Sequence, residues 1–155
     1  MLYERARRVF TARLGEDHPE VATVLHNIGG LAHAAGRPAD GEAAAVRALA
    51  IREASVGADH PDVAADRAAL AAVLDATGRH DEAAELLEGA LGVFERTFGP
   101  DHPEVAVTLG NLGAVDARRG DLESARRRLR RALAIKERRW ARTTSSSSPR
   151  SGPSA

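Results

Sequence analysis

The sequence predicts an all-α protein, an array of about seven helices stacked as antiparallel pairs, and three observations predict it. First, the tripeptide Asp-His-Pro occurs three times, with its histidine at His18, His60 and His102, so both gaps are 42 residues. The same shift superimposes Gly36, Gly78 and Gly120, then Leu49, Leu91 and Leu133, and then Ile51, Val93 and Ile135. Second, apolar residues within each unit recur at helical spacing, as in Val21, Val24, Leu25, Ile28 and Leu31. Third, aromatic residues make up only 3% of the chain, so the core has to be built from Ala, Leu and Val, which suits thin helices that approach closely. A fixed period of this kind marks a stack in which one unit alone cannot bury its apolar side.

The elements follow in order. Residues 2–13 stand in register with the second half of a unit, since Ala6 falls on Ala48, Ala90 and Ala132, and they form a lone second helix. The spans 19–35, 61–77 and 103–119 are first helices. Each opens on a proline, which tolerates the missing N–H at a first helical position, and an acid that meets the positive end of the helix dipole. Gly36, Gly78 and Gly120 follow them, where a helix C-terminus calls for positive φ. Second helices are expected over 39–55, 81–97 and 122–141, the last carrying Leu122, Ala125, Leu129, Ala132, Leu133 and Ile135. The array thus spans 1–141, with a partial repeat at 1–13 and full repeats at 14–55, 56–97 and 98–139. A Ser/Pro/Gly tail over 142–155 has no apolar area to bury and is expected to be disordered.

Composition narrows the function classes. The 22 basic residues balance the 22 acidic ones, so net charge favours neither nucleic acid nor an acidic substrate. The absence of cysteine removes disulfides, thiolate metal sites and a cysteine nucleophile, and fits a reducing compartment such as the cytoplasm. No apolar stretch approaches membrane-spanning length, and the opening MLYERARRVF has no signal-like apolar core. No phosphate-binding Gly-rich loop, zinc-protease His pair or serine elbow is present, so no catalytic residue, metal or cofactor is expected. The repeat histidines lie one unit apart and cannot converge on one metal, so they are read as a helix-start signature. His26 and His33 share a helix face but lack a third ligand, and His80 is expected in a loop.

The wording "LGEDHPEVATVLHNIGGLAHAAGR…GEAAAVRALAIRE", with its cleanest copy "FGPDHPEVAVTLGNLGAVDARRGDLESARRRLRRALAIKER", resembles tetratricopeptide repeats, in particular the 42-residue variety of kinesin light chains and many bacterial repeat proteins. The resemblance covers residues 1–139 and implies a right-handed superhelical array whose concave groove is lined by the first helix of each pair. Its large-small-small contacts fall on Ile28, Gly29 and Gly41, on Leu70, Ala71 and Ala83, and on Leu112, Gly113 and Ala125. Departures from the pattern are Arg67 and Asp116 at apolar positions, and Pro38 and Gly41 at the start of a second helix. Gly41 costs about 0.5–1 kcal/mol relative to Ala, and a buried Asp116 requires an Arg of the basic last helix as partner. Together these departures imply a loosely held array of marginal stability.

The groove positions implied by the family include His26, Asn27, His33, Asp75, Asn111 and Arg118 as candidate partner contacts. Asn27 and Asn111 match an Asn that bonds the backbone of an extended peptide, or else they brace a neighbouring helix or stand exposed. The middle copy has Ala69 there, so the Asn ladder is broken, and the many Ala and Gly residues imply a shallow groove and weak binding. A clamp for a C-terminal carboxylate is not expected, because Thr23, Ala65 and Val107 occupy its positions.

Charge is unevenly spread. Repeat 56–97 has three basic against nine acidic residues, whereas 98–139 has ten basic against six acidic. Arg126, Arg127, Arg130 and Arg131 are candidate contacts for an anionic partner along 118–142, or a solvated outer face whose stems cover apolar surface. The ends admit two readings: a fragment of a longer array, or a short protein that stacks on a partner or on itself. The reading is a non-enzymatic module that binds a peptide or protein partner in its groove; the alternative is an anionic-partner or nucleic-acid binder, with nucleic acid the less favoured, and no membrane contact.

Overall fold

Each helix of this chain is bounded by residues that its backbone needs there. The computed structural model describes residues 2–146, and in them the chain forms α1 (Leu2–Leu14), α2 (Pro19–Ala34), α3 (Pro38–Val56), α4 (Pro61–Ala76), α5 (His80–Phe98), α6 (Pro103–Arg118) and α7 (Leu122–Ser146), with no strand. His18, His60 and His102 explain the recurring tripeptide. Each is an extended N-cap whose Nδ1 accepts the N–H two residues on, at 3.2, 3.0 and 3.1 Å for Glu20, Asp62 and Glu104. The ring nitrogen serves the purpose that a Ser or Asp oxygen usually serves at this position.

The first six helices match the expected spans to one residue at either end, but α7 continues five residues past 141. Gly15, Gly57 and Gly99 stop α1, α3 and α5 at φ of 94, 89 and 90°, and their counterpart in register is Ala141, which imposes no stop. Thr143 and Ser145 donate hydroxyl bonds back to the Arg139 and Arg142 carbonyls at 3.0 and 3.1 Å, as such residues do inside helices. Residues 147–155 of the expected tail lie outside the described residues.

Packing repeats as the elements do. The turns are short, so α2 lies antiparallel on α3, α4 on α5 and α6 on α7, while α3 joins α4, α5 joins α6, and α1 packs on α2. One apolar cluster, around Val21, Leu25, Ala48 and Ile51, receives Phe10 of α1. A second links Ala45 to Leu70, Leu74 and Leu87 and on to Leu112 and Val115, and a third joins Val93 and Phe94 to Leu109 and Ile135.

The departures from the repeat pattern have structural counterparts. Gly41 does more than soften α3: a Cβ there would stand 2.9 Å from the Gly29 carbonyl oxygen and 2.9 Å from the Ala32 Cβ, so the glycine lets α2 and α3 touch. Asp116 is fully buried and bound by Arg119 at 3.2 Å and by Arg128 of α7, the basic-helix partner its burial requires. Arg67 donates to Glu53 at 2.8 Å. Among the described residues no buried side-chain nitrogen or oxygen lacks a hydrogen-bond partner.

Candidate functional site

The first helices of the pairs form one side of the stack, and α2 touches α4 directly. Between them and α6 lies a cavity of about 420 Å³. His33 enters it from α2, Ala68, Ala72 and Asp75 from α4, and Asn111 and Arg118 from α6, over a floor that includes Leu87 and Val115. The small side chains of α4 make it wide. Its polar groups come from all three helices: His33 from α2, Asp75 from α4, and Asn111 and Arg118 from α6.

Its charge is organised around Asp75. Arg118 Nε donates to Oδ1 at 3.0 Å and Nη2 to Oδ2, a two-point contact that ties α6 to α4, and His80 Nδ1 lies 2.7 Å from the same carboxylate. Burial works against the Asp75 charge, but hydrogen bonds from Arg118 and His80 outweigh it and hold the carboxyl below its ordinary pKa. The same contact raises the pKa of Arg118. His80, expected in a loop, is the first residue of α5. Asn111 is exposed, and no hydrogen bond engages its amide among the described residues.

Of the residues expected in the groove, His33, Asp75, Asn111 and Arg118 thus share one cavity, and His26 and Asn27 lie outside it. Asn27 is exposed on α2. The His26 ring is tied to Asp66, with Nδ1 2.7 Å from Oδ1, and Arg52 donates to the other oxygen at 2.9 Å and approaches Thr23 Oγ1 at 3.4 Å. Asp66 is buried. Sequence reasoning missed it, although a signal existed: in register, Phe10 and Phe94 flank Arg52, and Val24 and Thr108 flank Asp66, so two positions that depart in charge belong to one junction.

Part of the basic last helix is spent on neighbouring carboxylates. Arg128 reaches Glu88 at 2.8 Å as well as Asp116, Arg131 reaches Glu95 at 2.9 Å, and Arg138 reaches Asp101 at 2.7 Å. Arg119 pairs with Asp81 at 2.7 Å. Arg127 donates to Ser124 at 3.4 Å and its charge acts on Asp121, and Arg126 and Arg130 have no carboxylate partner among the described residues. Among those residues no three His, Asp or Glu side chains are grouped to hold a metal ion, and no helix is long and apolar enough to cross a membrane.

Comparison with known proteins bears on the fold. Solved structures superpose closely. BtubC (BKLC) from P. vanneervenii does so with a TM-score of 0.80 at 23% identity, over 99% of this chain and 59% of that one. Two structures of a kinesin light chain-like protein with nearly identical TPR-like repeats, from Podosopora anserina, give TM-scores of 0.77 and 0.73, each at 23% identity. They cover 90% and 88% of this chain and 66% and 65% of theirs, so this chain spans about three fifths to two thirds of the length of these neighbours. No curated protein matches by sequence. The tetratricopeptide repeat model matches residues 1–54, 20–94 and 67–138 in overlapping segments. With the 42-residue period, the capped helix pairs and these matches together, the chain belongs to the tetratricopeptide repeat family, whose fold is generally a scaffold for protein interaction.

Proposed function

We propose that this chain is a non-enzymatic interaction module that holds an extended peptide segment of a partner protein across the α2–α4–α6 face, and that it works in the cytoplasm. One observation carries the reading: His33, Asn111 and the Asp75–Arg118 pair border a single open cavity floored by Ala, Leu and Val side chains. The Asn111 amide offers a donor and an acceptor, which matches a peptide unit. Arg118 already gives one Nε and one Nη2 hydrogen to Asp75, so its two Nη1 hydrogens and the second Nη2 hydrogen are what it can offer a ligand. With few large side chains in the lining, affinity is expected to be modest.

The alternative is an anionic partner along 118–142. The pairing of Arg128, Arg131 and Arg138 with carboxylates favours the groove. The test is selection of peptides from a displayed random library on the intact chain, followed by titration of the selected peptides. Asn111→Ala is expected to weaken them about tenfold, with little salt dependence. Binding that survives both Asn111→Ala and Ala72→Glu with unchanged helicity places the peptide elsewhere. Steep loss with salt favours the anionic reading.

A further inference from the structure

The α6–α7 end of the stack carries an apolar stripe that nothing in the described residues covers. Leu122, Leu129, Leu133 and Trp140 are 64, 46, 57 and 72% exposed. At the helical turn angle their spacing places them within about 40° of one another on α7. Ala117 of α6 joins Leu122, Leu129 and Leu133 in an open cleft of about 480 Å³, which Arg126 and Arg130 border. The segment 147–155 contains no large apolar residue in its sequence.

The repeat itself shows what such a face receives. One unit earlier, Leu87 and Leu91 hold the register positions of Leu129 and Leu133, and Leu87 is only 2% exposed because it packs with Leu112 and Val115 of α6. The covering element is a single amphipathic helix, as α4 is at the junction before. A groove shaped by two helices for a third is a helix-docking surface in form.

Charge decides which helix fits. The counterparts of Arg126 and Arg130 are Ala84 and Glu88, and Glu88 accepts from Arg128 of the next unit. That face offers a carboxylate to an incoming arginine, whereas the α7 face offers guanidinium groups. The α1 helix of a second copy, in which Arg5, Arg7, Arg8 and Arg13 outnumber Glu4, would meet these guanidinium groups with like charge. We propose that the α6–α7 cleft docks an acidic amphipathic helix of a partner protein, its apolar side on Leu122, Leu129, Leu133 and Trp140 and its carboxylates on Arg126 and Arg130. This surface is independent of the concave groove.

Trp140 is the single Trp of the chain, so its emission reports cover over the stripe. The probes are two synthetic helical peptides of about five turns with identical leucine positions, one flanked by Glu and the other by Lys. The Glu peptide is expected to shift Trp140 emission to the blue and to bind at least tenfold tighter than the Lys peptide, with the difference shrinking as salt rises. In the doubly substituted chain Arg126→Glu with Arg130→Glu, both side chains being exposed, the preference is expected to reverse at unchanged helicity. Equal binding of both peptides, or an unreversed preference, overturns the proposal. So does a blue shift that appears on concentrating the chain alone, which assigns the face to a second copy. A shift given by phosphatidylglycerol vesicles and not by the Glu peptide assigns it to a membrane surface and likewise overturns it.

Discussion

The two junctions between full repeats solve one packing problem with different chemistry. Where α5 meets α6, Phe94 and Thr108 occupy the register positions that Arg52 and Asp66 hold where α3 meets α4. The later junction is apolar at its centre, and around it Arg118, Arg119, Arg128 and Arg131 reach back to Asp75, Asp81, Glu88 and Glu95. The earlier junction places an ion pair where the later one has a phenyl ring, and recruits His26 to it. A buried pair of this kind adds little net stability over apolar packing, yet each member becomes indispensable to the other. The exposed pairs at the rim of the later junction contribute less each, because solvent and salt screen them.

The largest expected effect sharpens that contrast. Asp66→Ala leaves the Arg52 guanidinium mostly buried without its carboxylate and is expected to lower unfolding free energy by about 3 kcal/mol in a urea titration. Arg52→Phe combined with Asp66→Thr imports the later junction's pair, and is expected to restore stability to within about 1 kcal/mol of the parent. If the single substitution costs as little as the double, the pair is not the brace described.

A smaller effect separates the helix pairs themselves. Gly41→Ala drives a Cβ against the Gly29 backbone and is expected to lose about 1–3 kcal/mol despite the better helix propensity. Gly30→Ala, on the open side of the same pair, is expected to gain about 0.5–1 kcal/mol. Thermal unfolding followed by circular dichroism reads both, and equal signs would break the distinction.

The smallest effect concerns acid. Asp75 has its pKa lowered in the folded chain, so the contribution of its contacts to stability is complete above the unfolded carboxyl value and is lost as pH falls through the lower folded one. Asp75→Asn is expected to flatten the stability profile below about pH 4. An unaltered acid limb would show that Arg118 and His80 do not hold that charge.

Most of the architecture was legible because the first six helices each end on a glycine and the first helix of each full pair opens on its own cap. The cap histidines, the prolines behind them and Gly36, Gly78 and Gly120, at φ of 73, 88 and 84°, act locally, within a few residues of the effect they produce. The end of α7 was misjudged from composition, when the informative sign was the missing glycine at Ala141. The candidate site was less legible. Asp75 and Arg118, 43 residues apart, were both placed in the groove from the family pattern, but their bond to each other depends on how one unit is turned against the next. His26 fails to reach the cavity for the same reason, since its partner Asp66 lies 40 residues away on another helix.

The ion pairs that cross between repeats share a direction. Glu42 meets Arg79, Glu53 meets Arg67, Asp75 meets Arg118, and Asp81, Glu88 and Glu95 meet arginines further on, so among the described residues the acid precedes except at Asp66, which Arg52 and His26 reach from the unit before. By outline the units are interchangeable, since a period of 42 residues fixes the same curve everywhere. By charge they are not: splicing the third unit directly behind the first would set Glu42 opposite Asp121, the register counterpart of Arg79. Duplication can therefore lengthen such a chain at no geometric cost, while the sequence of its units is written in a one-way code that shuffling would scramble.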